Sequence, residues 1–266
     1  MLRSAVASSE EQKELARARF GRSAGSYVTS TILAEGGELP RMLDLARLTG
    51  AERVLDVATG GGHTALAFAP HVREVVATDL TPAMVDAAAR HLADQGATNV
   101  RCEVADAEAL PYADAEFDVV TARFAPHHFP DPGRFCHEVA RVLRPGGRFV
   151  MFDNMAPEEP DLDAFLQRFE RWRDPSHVRA YRPSEWEAML AAAGLTVEEL
   201  GPLERKVYQF DDWTARQGVD PDTKHDLERW LLDAPPACRE FFRITAEDGR
   251  VRTLEAVFGL LSAQRP

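Results

Sequence analysis

The sequence is short of three things, and each absence narrows the field. Cysteine occurs three times in 266 residues, at Cys102, Cys136 and Cys238. That odd, scattered set forms neither a disulfide framework nor the paired spacing of a zinc knuckle. No apolar run reaches the length of a membrane span, and Met1 to Phe20 is charged, without the apolar stretch of a secretory signal. Positive charge is outnumbered: 31 Lys and Arg against 43 Asp and Glu leave a formal net charge of -12, which repels a phosphate backbone. These absences predict a cytoplasmic chain with no membrane span, no nucleic-acid partner and no metal. Arg141, Arg144 and Arg148 make a local basic cluster, read here as a solvated helix end. Internal repeats, low-complexity segments and an exposed heptad seam are also missing, so nothing in the pattern points to an oligomer.

What is present is an alternation of short apolar runs and helical stripes. Val54 to Val57, Val75 to Ala77, Val100 to Val104, Phe117 to Val120 and Phe149 to Phe152 are β-branched or aromatic runs punctuated by Gly, Asp and Pro. Thr81-Pro82 opens a helix with Val85, Ala88, Ala89 and Leu92 on one face. Phe135, Val139, Val142 and Leu143 form another stripe, which Pro145-Gly146-Gly147 would stop. Repeated strand-helix units predict an α/β fold, a mostly parallel sheet with helices on both faces. The expected organisation is one unit: a helical cap at 1–41, a ligand-binding core at 42–155, and a 156–266 region with a lid helix, late strands and a helical insertion. In that last region Ser184 and Glu187 read as a capping box, Asp211 to Phe242 as the insertion and Leu254 to Leu261 as a final strand.

The chemistry concentrates at strand ends. Asp56-Val57-Ala58-Thr59-Gly60-Gly61-Gly62-His63-Thr64 follows the first strand, where glycines let the backbone turn tightly and approach a ligand. The next helix turns its free N–H groups toward that ligand. Gly60 to Ala65 also satisfies the permissive dinucleotide pattern G-x-G-x-x-A, with Asp79 about twenty residues on, where an acid meets ribose hydroxyls. These two features alone do not separate a dinucleotide from another ribose-bearing ligand. Three more do. Asp56 precedes the glycines, where a pyrophosphate gains nothing from negative charge but a cationic ligand does. Asp106 and the small Ala107 follow the third strand and suit an amino group on a base. Arg141 to Phe149 announces a fifth strand.

Together these segments, from about Val54 to Asn154, resemble the class I S-adenosylmethionine (SAM)-dependent methyltransferases. They are most similar to the branch of ubiquinone/menaquinone biosynthesis C-methyltransferases and their small-molecule relatives. The resemblance implies a Rossmann-like seven-stranded sheet and methyl transfer from SAM to a small-molecule acceptor, releasing S-adenosylhomocysteine. It implies cofactor contacts at Asp56, Ala58, Gly60 and Gly62, at Asp79, Leu80 and Met84, at Asp106 and Ala107, and at Arg123 beneath the methionine moiety. Phe20 to Tyr27 is similar to a segment of that branch in which an aromatic caps the cofactor; for Tyr27, ordinary helix packing is the alternative. His127 and His128, after the fourth strand, stand where the acceptor is expected and are candidate general bases. Asp153 and Asn154 are expected to face the same cleft. His177, Arg179 and Tyr181 either recognise substrate or, as the favoured reading, tie the lid to the core. The competing functions are a SAM-binding protein that does not methylate, distinguished by whether S-adenosylhomocysteine accumulates, and an NAD-dependent oxidoreductase.

The motif assignment generates its own test. Asp79→Ala and Gly60→Val are each expected to abolish SAM binding in calorimetric titration; unchanged affinity in both variants refutes the assignment.

Overall fold

The computed structural model describes residues 8–30, 34 and 36–266, with Ser26 described in its backbone only. Residues 1–7, 31–33 and 35 of the expected cap lie outside the described residues, as does the start of the Met1 to Phe20 stretch. Helix α1 (Ser9–Val28) begins at a capping box in which Ser8 and Glu11 satisfy each other's backbone N–H. Helix α2 (Glu38–Ala46) leads into β1 (Arg53–Val57), α3 (His63–Phe68), β2 (Glu74–Asp79), α4 (Pro82–Asp94), β3 (Val100–Val104), β4 (Phe117–Arg123), α5 (Pro132–Val142) and β5 (Leu143–Asn154). Then come α6 (Pro160–Arg173), α7 (Pro183–Ala192), β6 (Thr196–Leu200), β7 (Glu204–Gln209), α8 (Phe210–Arg216), α9 (Pro221–Leu232), α10 (Pro236–Phe241), β8 (Thr245–Glu247) and β9 (Arg250–Gln264).

The sheet runs β3-β2-β1-β4-β5-β9-β6. The first five strands are parallel and β9 returns antiparallel against β5. The expected seven-strand row is therefore present, but β7 and β8 also pair with β9 and bring the sheet to nine strands. The extra strands exist because β9 is 15 residues long, far beyond the Leu254 to Leu261 read from sequence. Its far end projects past β5 and carries its own small cluster: Phe165, Phe169, Phe210, Trp213, Leu227, Leu231 and Phe242, from α6 and α8 to α10, bury against Leu254.

The core follows the period of two in a strand. Along β5, Phe149 and Met151 enter one face of the sheet while Val150 and Phe152 enter the other; along β1, Leu55 and Val54 divide in the same way. Phe135 and Val139 of α5, with Trp186 and Leu190 of α7, cover the first face. Met42 of α2, Phe68 of α3, and Ala88 and Leu92 of α4 cover the second. Ala89, read as part of the buried stripe, points outward; Met84 and Ala87 take its place.

Two local readings are corrected. Helix α7 is capped at Arg182, whose N–H donates to Glu185 Oε2 at 2.9 Å, whereas Ser184 donates from its N–H and Oγ to Glu158. Pro145-Gly146-Gly147 does not stop α5, which ends at Val142 because Leu143 already pairs with Phe117. The glycines instead form a bulge before the register resumes at Val119 and Arg148; a Cβ on Gly147 would lie 2.8 Å from the Arg144 carbonyl oxygen. The basic cluster there is neutralised: Arg141 meets Glu138 and Asp114, Arg144 meets Asp118, and Arg148 meets Glu198. Among the described residues no helix is long and apolar enough to cross a membrane.

Phe149 is fully buried and its ring centroid lies 5.7 Å from that of Phe135, linking the sheet to α5. Phe149→Ala is expected to cost about 3–5 kcal/mol, read as a lower urea midpoint at unchanged slope.

Candidate functional site

Between β1 and β4 the strand order reverses direction, so the chain leaves the sheet on opposite faces and a crevice opens at the carboxyl ends of the strands. The turn after β1 forms its floor. Asp56 is wholly enclosed and accepts from Thr59 Oγ1 at 2.6 Å and from Thr121 Oγ1 of β4 at 2.7 Å. Burial, only partly offset by the hydroxyl bonds, pushes its carboxyl up to about 6. Ala58 then adopts a left-handed conformation (φ 54°), followed by Gly60 (φ 55°) and Gly62 (φ 84°). A left-handed Ala explains why glycine is the easier residue there. Asp79, at the end of β2, accepts from the Gly60 N–H at 3.1 Å and the Thr81 N–H at 2.9 Å, which fixes the turn to the neighbouring strand; burial raises its carboxyl as well.

A first chamber of about 750 Å³, including its open mouth, lies over this floor. Ala58, Gly60, Asp79, Leu80, Met84, Asp106 and Ala107 line it, with Phe124 and His128 at one end. Helix α1 closes it from above with Lys13, Ala16, Phe20 and Tyr27, residues spaced along one helical face. Lys13 Nζ sits 2.7 Å from Asp106 and 2.6 Å from Glu108. Burial disfavours its charge, but the two carboxylates outweigh burial and raise its pKa. At the far end of α1 the Tyr27 carbonyl accepts from His63 Nε2 at 2.9 Å. A Cβ on Gly61 would lie 2.8 Å from that same oxygen, so the middle glycine serves helix contact rather than the cavity.

A second chamber of about 1090 Å³, also counted with its mouth, adjoins the first and shares Tyr27, Phe124 and His128 with it. Phe258, Tyr208 and Trp213 give it aromatic walls, and Arg173, Lys206 and Arg216 give it cations. His127 lines it and is buried; its Nδ1 lies 2.6 Å from Asp153 Oδ1 and its backbone N–H donates to Asp153 Oδ2 at 2.8 Å. One carboxylate thus fixes both the ring and the peptide. Burial opposes charge on His127, yet Asp153 outweighs it and raises the pKa. His128 donates from Nδ1 to the Ser176 carbonyl at 3.0 Å, and burial together with the neighbouring His127 charge pushes its pKa down to about 3. His128 is therefore neutral at pH 7. His177 stacks obliquely 5.5 Å from His127, a neighbour no sequence spacing announces, and burial with the charge of His127 drives it well below the ordinary range.

The structure brings together Tyr27, Ala58, Gly60, Asp79, Leu80, Met84, Asp106, Ala107 and His128 around the first chamber, and His127 and Asn154 around the second. Asp56, Gly62 and Arg123 stand behind the walls. Asp56 turns to the two threonines and lines neither chamber. Gly62 is packed against Leu92 and Ala88, and Arg123 reaches Thr64 Oγ1 at 2.9 Å and Glu38 at 2.7 Å. Of the lid residues, Arg179 pairs with Asp163 and Glu185, His177 donates to Gln167 at 3.0 Å, and Tyr181 packs on Trp186; none lines either chamber. Sequence reasoning missed Lys13 and Phe124, and all of Arg173, Lys206, Tyr208, Trp213 and Arg216.

Comparison with known proteins agrees with this architecture. Residues 55–151 match the methyltransferase domain family. The uncharacterised methyltransferase YcgJ of Bacillus subtilis (strain 168) is 40% identical over 85% of this chain and 89% of that one. Its crystal structure superposes with a TM-score of 0.83 at 38% identity, covering 86% of this chain and 97% of that chain. The demethylmenaquinone methyltransferase of Thermus thermophilus is 36% identical over 59% of this chain and 80% of its own. Geranyl diphosphate methyltransferase, solved in complex with SAM, shares the fold at a TM-score of 0.57 and 16% identity, with 86% and 84% of the two chains covered.

The His127–Asp153 pair makes a signed pH prediction. The folded pKa of His127 lies above its ordinary 6.5, so the pair stabilises the fold fully below that value and loses the contribution as pH rises through the folded pKa. Asp153→Asn keeps the shape but removes the counter-charge, leaving burial to hold His127 below 6.5. The stability gap between variant and wild type is expected to narrow as pH rises from below 6.5 through the raised folded pKa. An imidazole NMR titration reads the pKa directly, and an unchanged His127 value in the variant removes Asp153 as its cause.

Proposed function

The chain belongs to the methyltransferase family, and from that premise we propose that it binds SAM in the first chamber and methylates a small molecule held in the second, releasing S-adenosylhomocysteine. The observation that carries this reading is the junction of the two chambers at Tyr27, Phe124 and His128. A donor and an acceptor approached from opposite sides meet there, and holding both in line is the main task of such a catalyst.

The residues of the first chamber fit the cofactor. Asp79 uses one lone pair of each oxygen on backbone N–H groups, which leaves room for ribose hydroxyls. Leu80, Met84 and Ala107 offer a thin apolar slot for a base, with the Asp106 carboxylate beside it. A dinucleotide fits less well. Its pyrophosphate belongs over the glycine turn, where the Tyr27 carbonyl oxygen already stands against Gly61 and His63. SAM supplies a methyl group on a sulfonium centre. The chain supplies position, a dry enclosure under α1 and a place for any proton the acceptor releases. His127 and His128 are the candidate proton acceptors, and His127 is the stronger base because Asp153 stabilises its charged form.

Calorimetric titration with SAM, S-adenosylhomocysteine and NADH in parallel tests the cofactor. Micromolar binding of the first two and none of the third is expected; binding of NADH alone overturns the reading and makes Asp79 a ribose ligand of a nicotinamide cofactor.

A further inference from the structure

The acceptor identified only as a small molecule leaves marks on the second chamber. Its apolar surface is aromatic: Phe124 and Phe258 on one side, Tyr208 and Trp213 on the other, the last two stacked with centroids 6.3 Å apart. Walls of ring faces and edges favour a flat, ring-bearing guest.

The charges on the wall do not cancel from the guest's point of view. Glu170 is taken by Arg173, at 2.7 Å, and that guanidinium also lies 4.8 Å over the Trp213 ring. Asp174 is taken by Arg19 of α1 at 3.0 Å. Lys206 is held by Glu38 at 3.1 Å and sits over Phe124, Phe152 and Phe258 at 4.6 to 5.2 Å. Both acids of the chamber are thus already committed to cations. Arg216, in contrast, stands exposed at the end of α8 with its guanidinium 5.4 Å over the Tyr208 ring, and among the described residues no carboxylate is recorded within ion-pair distance of it. A chain of net charge -12 repels anions at long range, so an anionic guest needs a local cation inside a Debye length of about 8 Å. An ammonium guest, by comparison, would meet Lys206, Arg173 and Arg216 with no free acid to answer it.

We propose that the second chamber takes a flat, ring-bearing acceptor carrying an anionic group, and that Arg216 is the residue that selects for that charge. The proposal rests on the reading of this chamber as the acceptor site. A competing role exists for Arg216: as the last residue of α8 its charge also suits the helix C-terminus, which affects stability and not ligand choice.

The test uses the full chain saturated with S-adenosylhomocysteine and three probes that share the naphthalene ring and are similar in size but differ in charge: 2-naphthoate, 2-naphthamide and 2-naphthylmethylammonium. Calorimetry is expected to give one site per chain, with naphthoate bound at least about tenfold more tightly than the amide and the ammonium bound most weakly. Arg216→Gln is expected to bring the naphthoate preference to within about twofold, Arg216→Lys to keep part of it, and both to leave the amide and S-adenosylhomocysteine affinities unchanged. Equal binding of naphthoate and the amide, a preference that survives Arg216→Gln, several weak sites independent of Arg216, or no binding of any probe overturns the proposal. A lower melting temperature in Arg216→Gln with the preference intact assigns the residue to the helix end. Failure of S-adenosylhomocysteine to bind while the Arg216-dependent preference remains defeats the cofactor reading alone.

Discussion

The Asp56 carboxylate, enclosed at the end of β1, takes one hydrogen bond from Thr59 in the turn ahead and another from Thr121 on the adjacent strand β4. Those two strands are the pair at which the sheet changes direction, so this carboxylate fastens the seam along which the crevice opens. The rest of the site geometry follows. With Thr59 drawn back to Asp56, the chain passes through left-handed conformations at Ala58 and Gly60 before α3 begins, and the Gly60 N–H is delivered to Asp79. Across the seam, Phe124 leaves β4 with φ 54° while its N–H stays bonded to Phe152. Ala58 and Phe124, both non-glycine residues in a conformation that costs roughly 1–2 kcal/mol, are on the wall of the first chamber. Of the six described non-glycine residues at positive φ, these two shape the first chamber, and the surrounding core of fully buried strands holds them in place.

Much of the frame could be read from the sequence because its signals are local. The five parallel strands carry β-branched runs, their helices carry periodic stripes, and the glycines and acids at the strand ends lie within a few residues of the strands that position them. Asp79, Leu80, Met84, Asp106 and Ala107 were legible for that reason. The role of Asp56 was not. Its presence before the glycines is a local fact, but which way a carboxylate turns depends on Thr121, 65 residues away. Lys13 was invisible on the same ground: its two acids lie more than ninety residues on. The second chamber gathers Arg173, Lys206, Tyr208, Trp213 and Arg216 from three separate elements beyond the motif-bearing core. No spacing rule links them; only the overlong β9, which pairs β7 on one edge, brings them beside β4 and β5.

The two chambers divide charge between them. Around the first, Asp79, Asp106 and Glu108 are acids, and Lys13 is the cation that meets the last two. Around the second, Arg173, Lys206 and Arg216 face a pair of acids already engaged, with His127 held toward its charged form by Asp153. The two adjoining walls thus carry opposite excess charge on either side of Tyr27, Phe124 and His128, the three residues that line both.

Helix α1 belongs to both chambers, and its tethers show how. Lys13 binds it to Asp106 and Glu108 on the first side; Arg19 binds it to Asp174 and to the Gln217 carbonyl and amide oxygens on the second; the Tyr27 carbonyl rests on His63. Each tether ends on a different part of the fold, so α1 cannot lift from one chamber without disturbing the other. The ion pairs are largely enclosed, with the Glu108 and Asp174 carboxylates almost wholly buried, so breaking one strands a charge and costs more than breaking an exposed pair. Among the described residues the apolar cluster of α1 is small: Phe20, Ala24, Tyr27 and Val28 against Met84 and Ala87 of α4, itself a wall of the first chamber. Helix α1 is thus held as a cover by enclosed ion pairs and a small apolar patch of its own, apart from the two main cores.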